Sequence, residues 1–146
     1  MKIMAVDYGD TRTGLATSDS GESLAFPAGV IIEKDMYKVA GRIRDKIQDA
    51  GVELIVVGLP KNMDGTEGNQ AGKCRMLVEL IEQLQDKPVV TWDERVTTKI
   101  ATEYMNQTDT RGKKRRERID EVAATVILQS YLDYRKNLLS NSTTSN

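Results

Sequence analysis

The chain has 146 residues, of which 39% are apolar and 29% are charged, and its formal net charge is −1. These values predict a soluble globular protein with its own apolar core, and they exclude bulk disorder and a global electrostatic attraction to nucleic acid or anionic lipid. The chain has no histidine and one cysteine, which excludes a Ser-His-Asp triad, an intramolecular disulfide and a thiolate cage for zinc. Any bound metal would need oxygen ligands, which favours Mg²⁺, Mn²⁺ or Ca²⁺.

The same features predict the organisation and location of the chain. No apolar run approaches the ~20 residues that span a bilayer, and the N-terminus lacks the regions of a signal peptide. We therefore expect a cytoplasmic protein without a membrane partner. We predict one domain over residues 1–138, followed by a polar, disordered tail at residues 139–146.

Three strands are predicted in the first part of the chain, at residues 2–7, 13–18 and 28–32. Turn residues separate them, with Gly9 after the first strand and Gly21 and Pro27 before the third. Short connections between consecutive strands are typical of an antiparallel meander.

The pattern then changes to helical spacing from Met36, and Gly51 ends this first helix. The later elements are a strand at 54–57, a helix at 71–84, a strand at 88–92, a short helix from about Thr97, a basic loop and a last helix at about 120–136. This order predicts an α/β protein with a mixed five-stranded sheet, in which an antiparallel three-strand meander is followed by α/β crossovers and helices flank both faces.

Acidic residues stand at three places where predicted elements end or begin. Asp7 ends the first strand, Asp93 and Glu94 follow the strand PVVTW, and Asp120 opens the last helix. Functional groups of open α/β sheets gather beyond the carboxyl ends of strands, so these carboxylates can converge. Carboxylates at close range need a cation, and Mg²⁺ is held by few protein carboxylates together with substrate phosphates. Two such ions would stabilise the attacking and leaving oxygens in phosphodiester cleavage.

Structural interpretations of the same residues stay open. Asp120 can be a helix N-terminal carboxylate that the helix dipole favours. Asp93 and Glu94 can be loop carboxylates paired with Arg95. Asp7 is harder to explain in this way, because burial makes an unpaired carboxylate costly.

Two further segments carry candidate phosphate contacts. The loop VVGLPKNMDGTEG has glycines whose amides could meet an anion, but it lacks the Walker A pattern and an ordinary strand-to-helix connection is favoured. Basic residues crowd the stretch before Asp120, namely Arg111, Lys113, Lys114, Arg115, Arg116 and Arg118. A solvated loop is the default for such a run, although its position beside Asp120 favours a phosphate-contacting role. Cys74, on the apolar face of its helix, is predicted to be a core residue.

Four strings in the chain resemble the YqgF/RuvX family of Holliday-junction-resolvase-like proteins, which are also described as pre-16S ribosomal RNA nucleases. In order, they are VDYGDTRTGLATSD, VVGLPKNMDGTEG, WDERVTT and IDEVAATVILQSYLD, and they cover almost the whole chain. The resemblance implies an RNase H-like fold, with which the predicted element order agrees. It also implies a nuclease site that holds two Mg²⁺ or Mn²⁺ ions.

Carried over by position, the resemblance implies that Asp7 and Asp120 are catalytic metal ligands. The DER string supplies the third acid in this resemblance, with Glu94 favoured and Asp93 as its close competitor. Because neighbouring residues of a strand point to opposite sides, we expect only one of the two to face the metals. The candidate nucleic-acid contacts are Arg12, Lys61, Arg95, Lys113, Lys114, Arg115 and Arg116.

Two classes of function stay open. The first is a metal-dependent endonuclease acting on structured RNA of ribosomal precursor particles, with a branched-DNA resolvase as its near variant. Symmetric junction cleavage would call for a homodimer. The second is a non-catalytic nucleic-acid-binding factor of ribosome assembly, in which the carboxylates are structural.

The string DYGDTRTG also resembles the phosphate loop of actin-like ATPases, but 146 residues cannot hold their second lobe.

Overall fold

The computed structural model describes residues 1–94 and 112–144, with side chains for residues 1–94 and 121–138. The elements are β1 (Ile3–Asp7), β2 (Arg12–Ser18), β3 (Ala25–Ile32), α1 (Met36–Ala50), β4 (Leu54–Leu59), α2 (Asn69–Leu84), β5 (Val89–Asp93) and α3 (Gly112–Thr144). The short helix predicted from about Thr97 lies outside the described residues. None of the helices described here has the length and apolar character that crossing a membrane requires.

The strands of the described residues form one mixed sheet of five, in the order β3-β2-β1-β4-β5. β2 pairs antiparallel with β1 and with β3, whereas β4 pairs parallel with β1 and with β5. This confirms the α/β class and the antiparallel meander followed by crossovers. Because β1, β4 and β5 are parallel, their carboxyl ends meet at the same edge of the sheet.

Apolar side chains alternate along the strands and form one buried layer on each face of the sheet. The layer under α1 and α2 includes Met4, Val6, Ile43, Ile55, Val57, Cys74 and Leu77. The layer under α3 includes Ile3, Ala5, Val56, Ala124, Ile127 and Leu128. Since both faces are covered, β4 is buried along its whole length, as its continuous apolar run predicts. The prediction of Cys74 as a core residue is confirmed.

α3 runs antiparallel to β1 across its face of the sheet. In its C-terminal half, Arg135 Nε donates a hydrogen bond to Glu22 Oε1 at 2.7 Å, and the amino group of Met1 lies 3.2 Å from Glu22 Oε2. Nearer the N-terminus of α3, Ile127 packs over Gly58, close to the end of β4. The N-terminal half of α3 is therefore directed towards the edge at which β1, β4 and β5 end.

The predicted boundaries of two elements, β3 and α3, were wrong. β3 begins at Ala25 and contains Pro27, which the sequence predicts to precede the strand. Because β3 is an edge strand, it tolerates a residue without an N–H group. α3 begins at Gly112 and ends at Thr144, rather than at about 120 and 136, because Lys, Arg and Glu favour the helix and no Gly or Pro follows Gly112. The helix thus continues through most of the predicted disordered tail, and the single domain over residues 1–138 stays a prediction.

Alanine at Gly51 tests how α1 ends. Gly51 has φ of +68°, and its amide donates to the Ile47 carbonyl. Gly51→Ala strains this left-handed conformation and should lower the free energy of unfolding by about 1 kcal/mol. Gly41→Ala, inside the same helix, has open space around the added Cβ in the described structure and should raise it by about 0.5 kcal/mol. Urea denaturation measures the change in the free energy of unfolding for both variants. A change of the same sign in the two variants would contradict this account.

Candidate active site

Asp7 is the last residue of β1 and is half-buried. Behind it, Ile3 to Val6 are 0% exposed. β1 pairs with β2 on one side, with Asp7 opposite Gly14, and with β4 on the other, with Val6 beside Val57. The carboxyl group of Asp7 is therefore attached to a backbone that is paired on both edges and buried on both faces.

Glu94 comes directly after β5 and is also half-buried. Trp92 packs in the layer under α3, and Glu94 follows it by two residues, so alternation places Glu94 on the α3 face. Ile3 and Ala5 of β1 belong to the same layer, which places Asp7 on that face too. There the carboxyl groups of Glu94 and Asp7 share a hydrogen bond.

Asp93 is the last residue of β5 and lies opposite Leu59 of β4. By alternation it belongs to the face covered by α1 and α2, away from Asp7. Its negative charge nevertheless acts on the neighbouring carboxyl group of Glu94. Of the two competing acids in the DER string, the structure brings Glu94 to Asp7.

Gly58 leaves the space that the Glu94 carboxyl group occupies. It is the fifth residue of β4 and pairs with Trp92. A Cβ at Gly58 would collide with Glu94 Oε1 and would lie 3.0 Å from Glu94 Cδ and 2.7 Å from Ile127 Cδ1. Any other residue at this place would displace the Glu94 carboxyl group and the end of the Ile127 side chain. The sequence interpretation missed this role, since it treated Gly58 as part of a glycine-rich loop.

Electrostatics make this carboxyl pair unfavourable in the metal-free protein. Burial raises the pKa of Glu94, and the charge of Asp93 raises it further, while the hydrogen bond with Asp7 acts in the opposite direction. Burial also raises the pKa of the nearby Cys74 thiol to about 12, with additional contributions from Glu94, Asp7 and Asp10. Cys74 therefore stays protonated, which argues against a nucleophilic role.

The donor set at this edge fits a hard cation. Asp7 and Glu94 offer carboxylate oxygens, which are ligands that Mg²⁺ prefers. Among the described side chains, no group of three or more His, Cys, Asp or Glu residues is arranged to hold a metal ion. The third predicted ligand, Asp120, has its backbone in α3, and its side chain lies outside the described ones.

Cationic side chains lie near the same edge. Arg12 is the first residue of β2, and in the described structure its Nε is buried without a hydrogen-bond partner, so an anion could satisfy it. Lys61 lies in the loop after β4 and is half-buried. Lys73 of α2, which the sequence interpretation did not select, lies 3.0 Å from Asp10 Oδ1. Arg95 is outside the described residues.

The basic residues from Lys113 to Arg118 lie on a helix rather than in a loop, which corrects the prediction, while Arg111 is outside the described residues. The backbones of Lys113, Lys114, Arg115 and Arg116 belong to the first two turns of α3. Since α3 begins at Gly112, Asp120 is its ninth residue. The helix dipole acts within the first turn, so the interpretation of Asp120 as an N-terminal carboxylate loses its basis.

Comparisons with known sequences agree with this architecture. A family model described as "RuvX: Holliday junction resolvase" matches residues 1–134. A protein of Halothermothrix orenii named "Putative pre-16S rRNA nuclease" is 43% identical over 138 residues, covering 94% of this chain and 99% of the relative. A protein of Listeria innocua with the same name is 41% identical over 135 residues, covering 91% of this chain and 98% of the relative.

Solved structures show the same fold at low sequence identity. Thermus thermophilus RuvC, in complex with a Holliday junction substrate, has a TM-score of 0.61 at 14% identity and covers 94% of this chain and 96% of its own. The fowlpox virus Holliday junction resolvase has a TM-score of 0.55 at 12% identity, covering 92% and 99%. The sheet order and the flanking helices define an RNase H-like fold. The family match, together with relatives that are named as nucleases, makes the chain a phosphodiester hydrolase. The chain belongs to the RuvX family, as its four strings predict.

Glu94→Gln should stabilise the metal-free protein at neutral pH. The folded-state pKa of Glu94 lies above its ordinary value of 4.5, so the folded protein holds this proton at a pH where the unfolded chain has released it. Stability is therefore lost as the pH rises from 4.5 through the folded-state pKa. A glutamine side chain does not titrate and avoids this loss, so in a chelator we expect a higher unfolding temperature at pH 7 and no gain near pH 4. The exposed Glu82→Gln is the control, and a lower unfolding temperature for Glu94→Gln at pH 7 would refute this account.

Gly58→Ala should disturb the site more than the fold. The atoms that its Cβ would meet are the ends of flexible side chains, which can move at a cost of about 1 kcal/mol. Moving the Glu94 carboxyl group should weaken Mn²⁺ binding by about tenfold, measured by isothermal titration calorimetry. Gly72→Ala on α2, where the space is open in the described structure, is the control. Unchanged Mn²⁺ affinity in Gly58→Ala would show that this glycine does not shape the site.

Proposed function

We propose that this protein is a metal-dependent endonuclease that processes precursor 16S ribosomal RNA. The observation that carries the proposal is the contact between the carboxyl groups of Asp7 and Glu94 at the ends of β1 and β5. A buried carboxyl pair opposes folding unless a proton or a cation neutralises it. A site that keeps such a pair, and keeps a glycine beside it, is suited to binding a metal. The names of the relatives at 43% and 41% identity support the RNA substrate.

Asp120 supplies the third carboxylate in this proposal. It precedes Ala124 by four residues and Ile127 by seven, and both of these are buried against the sheet. Residues at these spacings share one face of a helix. Because the N-terminal half of α3 is directed towards the edge where β1 ends, this face extends towards Asp7 and Glu94.

All three acids offer oxygen ligands, as a chain without histidine requires. When bound, Mg²⁺ or Mn²⁺, as two ions, would neutralise the carboxylates and stabilise the attacking and leaving oxygens of the phosphodiester. The protein's own contribution is positional. Asp7 is attached to the end of a buried strand, Glu94 to the end of a strand paired with buried β4, and Asp120 to a long helix, so the three carboxylates keep their spacing while the substrate binds.

The nucleic acid is held by basic residues around this edge. Arg12 and Lys61 contact phosphates close to the scissile bond, and Arg95 adds to them from the DER string. Lys113, Lys114, Arg115 and Arg116, on the first turns of α3, bind the backbone further away. Since the net charge of the chain is only −1, this attraction is local and depends on salt.

Branched DNA is the second candidate substrate, favoured by the description of the matching family model. The same carboxylates would cut it, but symmetric resolution would need a dimer that presents two sites. A nuclease that processes precursor ribosomal RNA would instead act on ribosomal precursor particles in the cytoplasm. It would act as a single domain, which is predicted over residues 1–138. The cleavage experiment distinguishes these substrates.

Asp7→Asn should abolish cleavage and leave folding and RNA binding nearly intact. Removing one metal ligand should lower the rate by about 100-fold or more. The measurement is the cutting of a precursor ribosomal RNA fragment with Mg²⁺ or Mn²⁺, with a four-way DNA junction in parallel. Asp10→Asn, which removes the same charge from an exposed residue three positions away, should keep most of the activity.

Asp93→Asn and Glu94→Gln complete this series, since the proposed ligand is Glu94. Cleavage that survives Asp7→Asn would refute the proposed site. Loss of cleavage in Asp93→Asn but not in Glu94→Gln would exchange the roles of these two acids. If the wild-type protein binds RNA and cuts neither substrate, the non-catalytic ribosome-assembly role replaces the proposal.

A further inference from the structure

The loop between β4 and α2, residues 60–68, is built as a closed turn, and we call it the β4–α2 turn. The Gly65 amide donates to the Asn62 carbonyl at 2.8 Å, and the Asn62 amide donates to the Thr66 carbonyl at 2.8 Å. Side chains close it further, since Asn62 Nδ2 donates to Thr66 Oγ1 at 2.9 Å and the Thr66 hydroxyl donates to Asp64 Oδ1 at 2.6 Å. These four hydrogen bonds hold the turn closed from within.

The β4–α2 turn is also tied to the body of the domain. Arg75 of α2 donates from Nε and from its terminal nitrogen to the two carboxylate oxygens of Glu67, at 2.6 and 2.7 Å. This two-point contact fixes direction as well as distance. At the other end the turn leaves β4 at Leu59, which pairs with Asp93. Its tip is thus held at the edge of the sheet where Asp7 and Glu94 meet.

Met63 stands at the tip of the β4–α2 turn and is 96% exposed. No other large apolar side chain in the described part of the chain is as exposed, and the next, Tyr37, is 73% exposed. Met63 is the second residue of the turn Asn62–Gly65, a position that ordinarily takes proline or a polar residue. Folding buries almost none of its side chain, so Met63 does not stabilise this domain by packing.

The distance from Met63 to the paired carboxyl groups is short. Met63 is four positions after Leu59, so its Cα lies at most ~14 Å from the end of β4. A nucleic acid whose phosphate lies at Asp7 and Glu94 would therefore pass Met63 within a few nucleotides. Lys61, two residues earlier, provides a cation for the backbone at the same place.

We propose that Met63 is an apolar wedge that inserts against a base of the nucleic-acid substrate, at a boundary between duplex and unpaired strand, and holds that boundary beside the carboxylate pair. This inference rests on the proposed function for its substrate. Methionine is among the apolar residues that proteins insert between base steps, and its unbranched chain adapts to different bases. A rigid turn suits this role, because the turn does not have to be ordered when the substrate binds.

The test uses Asp7→Asn protein with Mg²⁺, which binds substrate without cutting it. The probes are an RNA hairpin with 2-aminopurine at the base of its stem and a four-way DNA junction with 2-aminopurine at the crossover. Wedge insertion unstacks the labelled base, so binding should raise its fluorescence severalfold on at least one probe. Adding Met63→Ala should remove this rise and weaken binding by about tenfold. Met63→Leu should keep the fluorescence rise and the affinity. Met76→Ala, at an exposed methionine of α2, should change neither the rise nor the affinity.

The possible results distinguish a failure of the wedge proposal from a failure of the proposed nuclease function. If Met63→Ala keeps the fluorescence rise and the affinity while Asp7→Asn abolishes cleavage, the wedge is refuted and the proposed function stands. If both probes bind without any rise, the wedge is likewise refuted. If Met63→Ala removes the rise but cleavage survives Asp7→Asn, the wedge stands and the proposed site fails. If the wild-type protein binds neither probe, both proposals fail.

Discussion

Asp7 and Glu94 meet because three parallel strands end at one edge of the sheet and the middle strand has a glycine beside them. β1 is fully buried behind Asp7, and at Gly58 the backbone of β4 leaves room for a carboxyl group that a Cβ would displace. Burial and mutual repulsion make this pair unfavourable without a proton or a cation. The apolar layers on both faces of the sheet stabilise the fold enough to tolerate that cost. The carboxyl groups are therefore placed by a rigid frame that does not relax to separate them.

α3 depends on the same frame. Trp92 contacts Tyr131 edge-on, with ring centroids 5.6 Å apart, and Tyr134 at 5.3 Å, which docks the helix on β5. Trp92 is two residues before Glu94, so the contact that positions α3 also fixes the end of β5. In the same turn of α3, Arg135 binds Glu22 beside the N-terminus. Nearer the helix start, Ala124 and Ile127 are buried against the sheet, so the helix is held along its described side chains and can carry a residue such as Asp120 beyond the edge of the sheet.

Much of this arrangement is predictable from the sequence, because its signals are local. The apolar run that ends in Asp7, the period-two alternation that puts Asp93 and Glu94 on opposite sides of their strand, and the change to helical spacing after residue 35 all lie within short windows. The role of Gly58 is not local, since it concerns the distance between side chains of three strands. A glycine near the end of an otherwise apolar strand was the available signal. The start of α3 was misplaced because a run of like charges at a helix N-terminus opposes the dipole, whereas the propensity of its residues prevailed.

In the proposed function, the carboxylate pair at the strand ends acts on the phosphodiester group, which RNA and branched DNA share. Substrate choice would then depend on residues outside the sheet. The β4–α2 turn lies on the surface at Met63, where substitutions cost the core little. A chain can therefore keep this sheet while this turn changes. A TM-score of 0.61 to RuvC at 14% sequence identity agrees with this separation, since the fold depends on the pattern of buried apolar residues in the sheet and tolerates changes in their identity and on the surface.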